Sequence, residues 1–197
     1  MKDFIFNTLS AALFAGLLQN LIFAGGFGMT EAIRMAAKPS NFTRTAGLVA
    51  SFSVSVTLIC RALDTLPAIN AAGKLMHSAV FSGVLGAVYL ISLAVTYLAR
   101  CSELTKRRLG VCALNTLILS LPYVSYKSAF TFPEAFGTSL GAAGAYVIAV
   151  LLLKFGMEKI SANPSVPEAF RGNGALFIYA ALLSLAFAGI TGTRIAL

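Results

Sequence analysis

Six apolar runs, each bounded by charged residues, limit what this chain can fold into. They lie at about Phe4–Phe27, Thr45–Leu66, Ser78–Ala99, Leu109–Tyr126, Ala135–Leu153 and Asn173–Thr193. A bilayer core about 30 Å thick is crossed by about 20 residues of helix, and each run is close to that length. Of 197 residues only 11% are charged and 58% are hydrophobic, whereas soluble domains carry roughly 25% charge. None of the runs has the two-residue alternation of a membrane barrel, so the backbone must satisfy its hydrogen bonds within helices. The chain is expected to be an all-α integral membrane protein with six transmembrane helices. No composition break divides it, and a single domain over 1–197 is expected. The first run is uncharged from Phe4 to Thr30, longer than a signal-peptide core, and reads as a retained first span.

The formal net charge of +8 does not point to nucleic acid, because the cations sit in short connections between spans. The connections after spans 1, 3 and 5 carry Arg34, Lys38, Arg44, Arg100, Lys106, Arg107, Arg108, Lys154, Lys159 and Arg171. The other side carries Lys2, Arg61, Lys74, Lys127 and Arg194. The positive-inside rule therefore puts the first set in the cytoplasm and both termini outside, in a bacterial inner membrane. Arg61 and Asp64 fall on one helical face near the end of span 2. They read as a mutually neutralised pair reaching the interface, with an ion-path pair as the other reading. His77, the one histidine, reads as interfacial and solvated. Cys60, Cys101 and Cys112 show no metal-binding spacing, and no metal site is expected.

Spans 1 and 4 carry helix-weakening residues. Span 1 contains Gly25, Gly26 and Gly28, which lower the cost of leaving helical geometry. Span 4 contains Pro122, which lacks an N–H and crowds the carbonyl of Ile118. With three spans per half, roughly 1–104 and 105–197, the second half would enter the bilayer from the opposite side. Interrupted helices at matching places in inverted halves point to a midplane site. Gln19-Asn20-Leu21-Ile22-Phe23 and Leu114-Asn115-Thr116-Leu117-Ile118 echo one another, each with an intramembrane asparagine. The breaks are expected near Gly25–Gly28 and Ser120–Pro122, approaching each other.

A more specific signal closes the chain. Pro167-x-x-Phe170-Arg171-Gly172-Asn173, followed by Ser184-Leu185-Ala186-Phe187-x-Gly189, resembles the last helix of RnfA/NqrE-type membrane subunits. These belong to the Rnf ferredoxin:NAD oxidoreductase and the Na+-translocating NADH:quinone reductase. The resemblance implies two inverted three-helix repeats whose first helices are broken. It also implies a related six-helix partner of opposite topology, alongside other Rnf/Nqr-like subunits. In the family each break typically carries a cysteine, and two paired subunits hold a [2Fe–2S] cluster between them. Asn20 and Gly28 match the family's Asn-Asn … Leu-Gly-x-Cys pattern, and the cysteine position falls on Thr30. Aligning on Leu109-Gly110 puts the second on Ser120. Cys60 and Asp64-Thr65 resemble the family loosely.

Both ligand positions are therefore hydroxyl residues, poor substitutes for thiolates. The expectation is a scaffold that does not itself ligate the cluster, with the chain's own cofactor undetermined. Three functions stay open. One is a membrane subunit of an ion-translocating electron-transport complex, not catalytic alone. Another is an inverted-repeat transporter component using Thr30 and Ser120 as neutral oxygen donors. The last is a structural assembly subunit.

Overall fold

The computed structural model describes residues 1–39, 41–70, 73–168 and 171–191, except the side chains of 68, 70, 73–75, 173 and 191. Phe170, Arg194 and the side chain of Asn173 thus lie outside the described residues. Ten α-helices run in chain order: α1 (Lys2–Leu13, continued by a π turn over Phe14–Leu18), α2 (Leu21–Gly25), α3 (Met29–Ala37), α4 (Phe42–Asp64), α5 (Pro67–Asn70), α6 (Gly73–Leu98), α7 (Glu103–Ala113), α8 (Thr116–Lys127), α9 (Phe132–Ala162) and α10 (Asn173–Thr191). Among the described residues there is no strand.

Four segments are long and apolar enough to cross a membrane: Phe42–Asp64, Met76–Leu98, Glu103–Lys127 and Phe132–Ala162. The third combines α7 and α8. A shorter apolar helix covers Gly174–Ile190, and the first expected span is divided among α1, the π turn and α2. Large apolar side chains face outward, among them Phe6, Leu90, Ile91, Leu98, Phe177, Leu182 and Leu185. In water such a surface would drive association; hydrocarbon solvates it. The chain is a multi-pass membrane protein.

The centre is the pair α4 and α9. Helix α4 buries Val49, Phe52, Val56 and Cys60, and α9 buries Ala142, Ala145, Tyr146, Ala149, Val150 and Leu153. Helices α7 and α8 pack on α4, while α1, its π turn and α3 pack on α9. The first broken segment of each half thus leans on the long helix of the other half. Helix α1 buries no side chain of its own, and it approaches α9 backbone to backbone. A Cβ at Gly137 would strike the Thr8 carbonyl, and one at Gly141 the Ala12 carbonyl. Small residues four apart give this close approach where lipid offers no hydrophobic drive between helices. Thr8 adds a hydrogen bond from its hydroxyl to the Pro133 carbonyl at 3.2 Å. At the start of α9 the Glu134 carboxylate reaches back to the Thr131 N–H at 2.7 Å, one arm of a capping box.

Two expectations need correction. Pro122 does not break span 4: it is buried inside a continuous α8. Proline removes one N–H, and surrounding helices hold the segment through that loss. The interruption falls instead at Leu114–Asn115, between α7 and α8. His77 is not interfacial and solvated. Its side chain has no exposure, and its Nε2 lies 3.5 Å from Asp64 Oδ1. The His77 ring stacks on Tyr126 with centroids 4.0 Å apart. A carboxylate across the α4–α6 connection and an aromatic face offset the loss of solvent around the imidazole.

Candidate functional site

Each break is made by an asparagine that caps the helix restarting after it. At Gln19 the backbone leaves helical geometry, with φ −98° and ψ 56°. Asn20 Oδ1 then accepts from the Ile22 N–H at 3.1 Å. Asn115, at φ −72° and ψ 130°, accepts from the Leu117 N–H at 3.0 Å. An asparagine offers the chain a local side-chain partner in place of the helical carbonyl, so it ends one helix and begins another. The sequence echo around Asn20 and Asn115 is therefore two N-caps. Asn20 also donates from Nδ2 to the Ala145 carbonyl of α9 at 3.3 Å, which fixes the first break against the central helix.

Span 1 turns a second time after α2. Gly26 and Gly28 hold left-handed backbone, φ 70° and 76°, which only glycine adopts without strain. Gly25 is the last residue of α2, and the Gly26 N–H closes that helix on the Ile22 carbonyl at 3.0 Å. The two breaks then meet. The Gly28 N–H donates to Thr116 Oγ1 at 2.8 Å, and a Cβ at Gly28 would lie 2.8 Å from Asn115 Oδ1. Gly28 is needed twice over, for its dihedral and for its closeness to the Asn115 cap.

An open cavity of about 750 Å³ lies beside this junction. The ends of α2 (Gly25, Gly26, Phe27), one face of α8 (Thr116, Ser120, Tyr123) and α6 (Phe81, Ser82) line it. Its walls mix apolar groups with hydroxyls, the usual make-up of a site for a small molecule or a docking segment. Ser120 lines the cavity and donates to the Leu117 carbonyl at 2.9 Å. Thr30 sits in the first turn of α3, exposed, and is not part of the lining. The two family ligand positions therefore do not share this cavity.

No thiol lines it either. Cys60 packs with Phe52, Val56 and Ile118, and Cys112 with Leu117 and Leu121. Cys101 lies between α6 and α7, partly exposed. A [2Fe–2S] cluster needs anionic sulfur donors, and the donors at this junction are hydroxyls and amides. The residues present do not fit the cluster. Among the described residues no group of three or more His, Cys, Asp or Glu is placed to hold a metal.

The C-terminal motif has a structural role. Arg171 donates from Nε to the Val166 carbonyl at 2.8 Å and from Nη2 to the Pro164 and Asn163 carbonyls at 3.1 and 3.3 Å. It ties the α9–α10 connection together, and Gly172 follows at φ 115°, where glycine is required. On the basic side, Glu31 is 8% exposed and bridged to Arg34 at 2.9 Å. Burial raises its carboxyl above the ordinary value of 4.5, opposed by Arg34 and Arg108. Sequence reasoning missed the Asp64–His77 pair and the Gly137/Gly141 contact. The four-residue spacing of those glycines was the available signal for the second.

No family model matches the chain. In Rhodobacter capsulatus the ion-translocating oxidoreductase complex has a subunit, designated A, that is similar to this chain, 25% identical over 98% of both. The subunit of the same designation in the proton-translocating ferredoxin:NAD+ oxidoreductase complex of Clostridium ljungdahlii is also similar, 31% identical over 80 residues, 41% of each chain. With two asparagine-capped breaks joined at a glycine turn, the chain is a distant homologue of these membrane subunits of ion-translocating oxidoreductase complexes.

Proposed function

We propose that this chain is a membrane subunit of an Rnf/Nqr-like complex that couples ferredoxin/NAD(H) or NADH/quinone electron transfer to ion movement. The observation that carries the reading is the junction of the two breaks, Gly28 N–H on Thr116 Oγ1, in a chain related over its length to such subunits. In this reading the chain has six spans in two inverted repeats, about 1–104 and 105–197, in a single domain. The matching caps at Asn20 and Asn115 support it, as does the exchange by which each broken segment packs on the other half's long helix. Both termini face outside a bacterial inner membrane. The open cavity at the junction is where a related six-helix subunit of opposite topology packs. The chain contributes scaffold and no cluster ligand, because hydroxyls stand at residues 30 and 120 and no thiol reaches the cavity.

The test is purification from the native host under mild detergent, with identification of co-purifying subunits and assay of iron and acid-labile sulfide. A sister six-helix subunit with redox partners is expected. Substituting Cys60, Cys101 and Cys112 together by serine should leave the iron content unchanged. A chain that purifies without partners and binds a small solute refutes the reading. It would favour the transporter alternative, for which the cavity is the supporting observation, although only Ser120 of the two supposed oxygen donors lines it. Labelling of a cysteine placed between Arg100 and Arg108 by an impermeant reagent from outside would overturn the orientation.

A further inference from the structure

One face of α4 is polar although it is buried. Ser53, Thr57, Cys60 and Asp64 recur at helical spacing, and none is more than 6% exposed. Serine and threonine in membrane helices usually satisfy their hydroxyls on the carbonyl one turn back. Ser51 does so on Gly47 at 2.9 Å and Ser184 on Ala180 at 3.0 Å. Ser53 Oγ and Thr57 Oγ1 do not: each is buried without a hydrogen-bond partner among the described residues. The same holds for Ser125 Oγ and Asn115 Nδ2 on α8, the helix that packs on α4. Buried donors left in this state cost free energy, and their alignment along one helix face needs a reason.

The row ends at the Asp64–His77 pair. The pair is withdrawn from solvent, with side-chain exposures of 5% and 0%. Tyr126 covers one face of the imidazole, and Phe81 meets it edge-on at 6.0 Å. The charged and titratable groups around Asp64 are Arg61 and Cys60 on its own helix, His77 from α6, and Tyr126 from α8 through its stack on His77. Ionisable groups at such positions in membrane helices mark ion paths by default. An imidazole is the side chain that changes charge in the physiological range. Carboxylate and imidazole together suit a proton, whereas a sodium site would need a cage of oxygens. Hydroxyls one turn apart, about 5–6 Å between Cβ atoms, are bridged by single waters, each hydroxyl able to donate and accept.

We propose that Asp64 and His77 form a proton-binding pair at the end of α4, and that Thr57 and Ser53 continue from it as a hydroxyl file carrying protons along that helix. The inference rests on the reading of the chain as an ion-translocating subunit and names the ion it handles as a proton. The experiment is pH-difference infrared spectroscopy on the purified complex in lipid nanodiscs, in light and heavy water, with and without sodium. A carboxyl band that titrates and shifts in heavy water is expected. It should vanish in Asp64→Asn and change its pH dependence in His77→Gln. In Ser53→Ala/Thr57→Ala the band should persist with deuterium exchange slowed severalfold. If Asp64→Asn fails to assemble, Asp64→Glu must move the band. A wild-type complex without a titrating carboxyl, a band indifferent to both Asp64 variants, or a band that responds to sodium at fixed pH refutes the proposal. Exchange unchanged in the double alanine variant refutes the hydroxyl file. The band is a property of this chain's residues, so partner loss, which defeats the functional reading, is recorded separately by subunit composition.

Discussion

Replacing Gly28 with alanine tests how the two breaks are held together. Two costs arise at this position. A non-glycine residue at φ 76° loses about 1–2 kcal/mol to left-handed backbone. The new methyl would also lie 2.8 Å from Asn115 Oδ1 and 3.1 Å from Leu117 Cβ, so the Asn115 side chain must leave the Leu117 N–H. Losing an asparagine N-cap costs about 0.5–2 kcal/mol. Together these come to about 2–4 kcal/mol. Gly26→Ala is the matched control, because Gly26 has φ 70° and nothing within 4 Å of a built Cβ. It should carry only the conformational cost.

The buried thiols Cys60 and Cys112, each 1% exposed, report unfolding through a thiol-reactive dye during a thermal ramp in detergent. At about 2–4 °C per kcal/mol for a chain of this size, Gly28→Ala should lower the midpoint by about 5–15 °C and Gly26→Ala by less than half of that. In an Asn115→Ala background the steric part of the Gly28→Ala penalty should disappear, which a double-mutant cycle isolates. Equal midpoints for Gly26→Ala and Gly28→Ala would refute the claim that Asn115 and Gly28 are in contact at the junction.

The other expectations follow from single contacts. Gly137→Val and Gly141→Val should separate α1 from α9, because any Cβ there meets a backbone carbonyl. A loss of about 1–3 kcal/mol is expected for each from overpacking, with Gly144→Ala, which meets nothing within 4 Å, neutral in the same dye assay. Arg171→Ala should free three carbonyls in the α9–α10 connection and speed proteolysis there, and Arg171→Lys should not restore protection, since one ammonium cannot match the guanidinium fork. Glu31 has its carboxyl raised by burial, so the folded state holds that proton more tightly than the unfolded chain. Its contribution is most favourable below the ordinary value of 4.5 and is lost as pH rises through the folded value. Glu31→Gln should therefore flatten the fall in melting midpoint over that acidic range; an unchanged slope would argue against the assignment.

Much of this architecture was legible in the sequence because lipid leaves the backbone few options. Runs of apolar residues had to be helices, and the spans beginning near Thr45, Ser78 and Ala135 form α4, α6 and α9 within a few residues at most ends. Glycines 26 and 28 declared a turn because left-handed backbone excludes other residues. Pro122 misled for a physical reason: a proline removes one hydrogen bond from a helix that neighbouring helices still enclose. Asn115 offers the backbone a competing partner, and that is what ends α7. The Asp64–His77 pair was hidden because thirteen positions separate its members and their approach depends on how the α4–α6 connection folds back. Local spacing favoured Arg61 as the partner of Asp64; the fold supplies a closer one.

The scaffold and the ligand positions prove separable at the junction. What holds the breaks is Asn20 on Ile22 and Ala145, Asn115 on Leu117, and Gly28 on Thr116. Neither Thr30 nor Ser120 takes part in those bonds; Ser120 bonds only within its own helix turn. A thiol or a hydroxyl at either position leaves the same caps and the same glycine turns in place. Two broken helices could thus persist in a chain without cysteine there, since the free backbone groups of each break are answered by asparagine and threonine rather than by a cofactor. The hydroxyl row on α4 lies outside that junction and depends on none of its caps. Ion handling along α4 and electron transfer at the breaks are in this chain distinct structural problems, and the first retains its polar groups where the second lacks its sulfur.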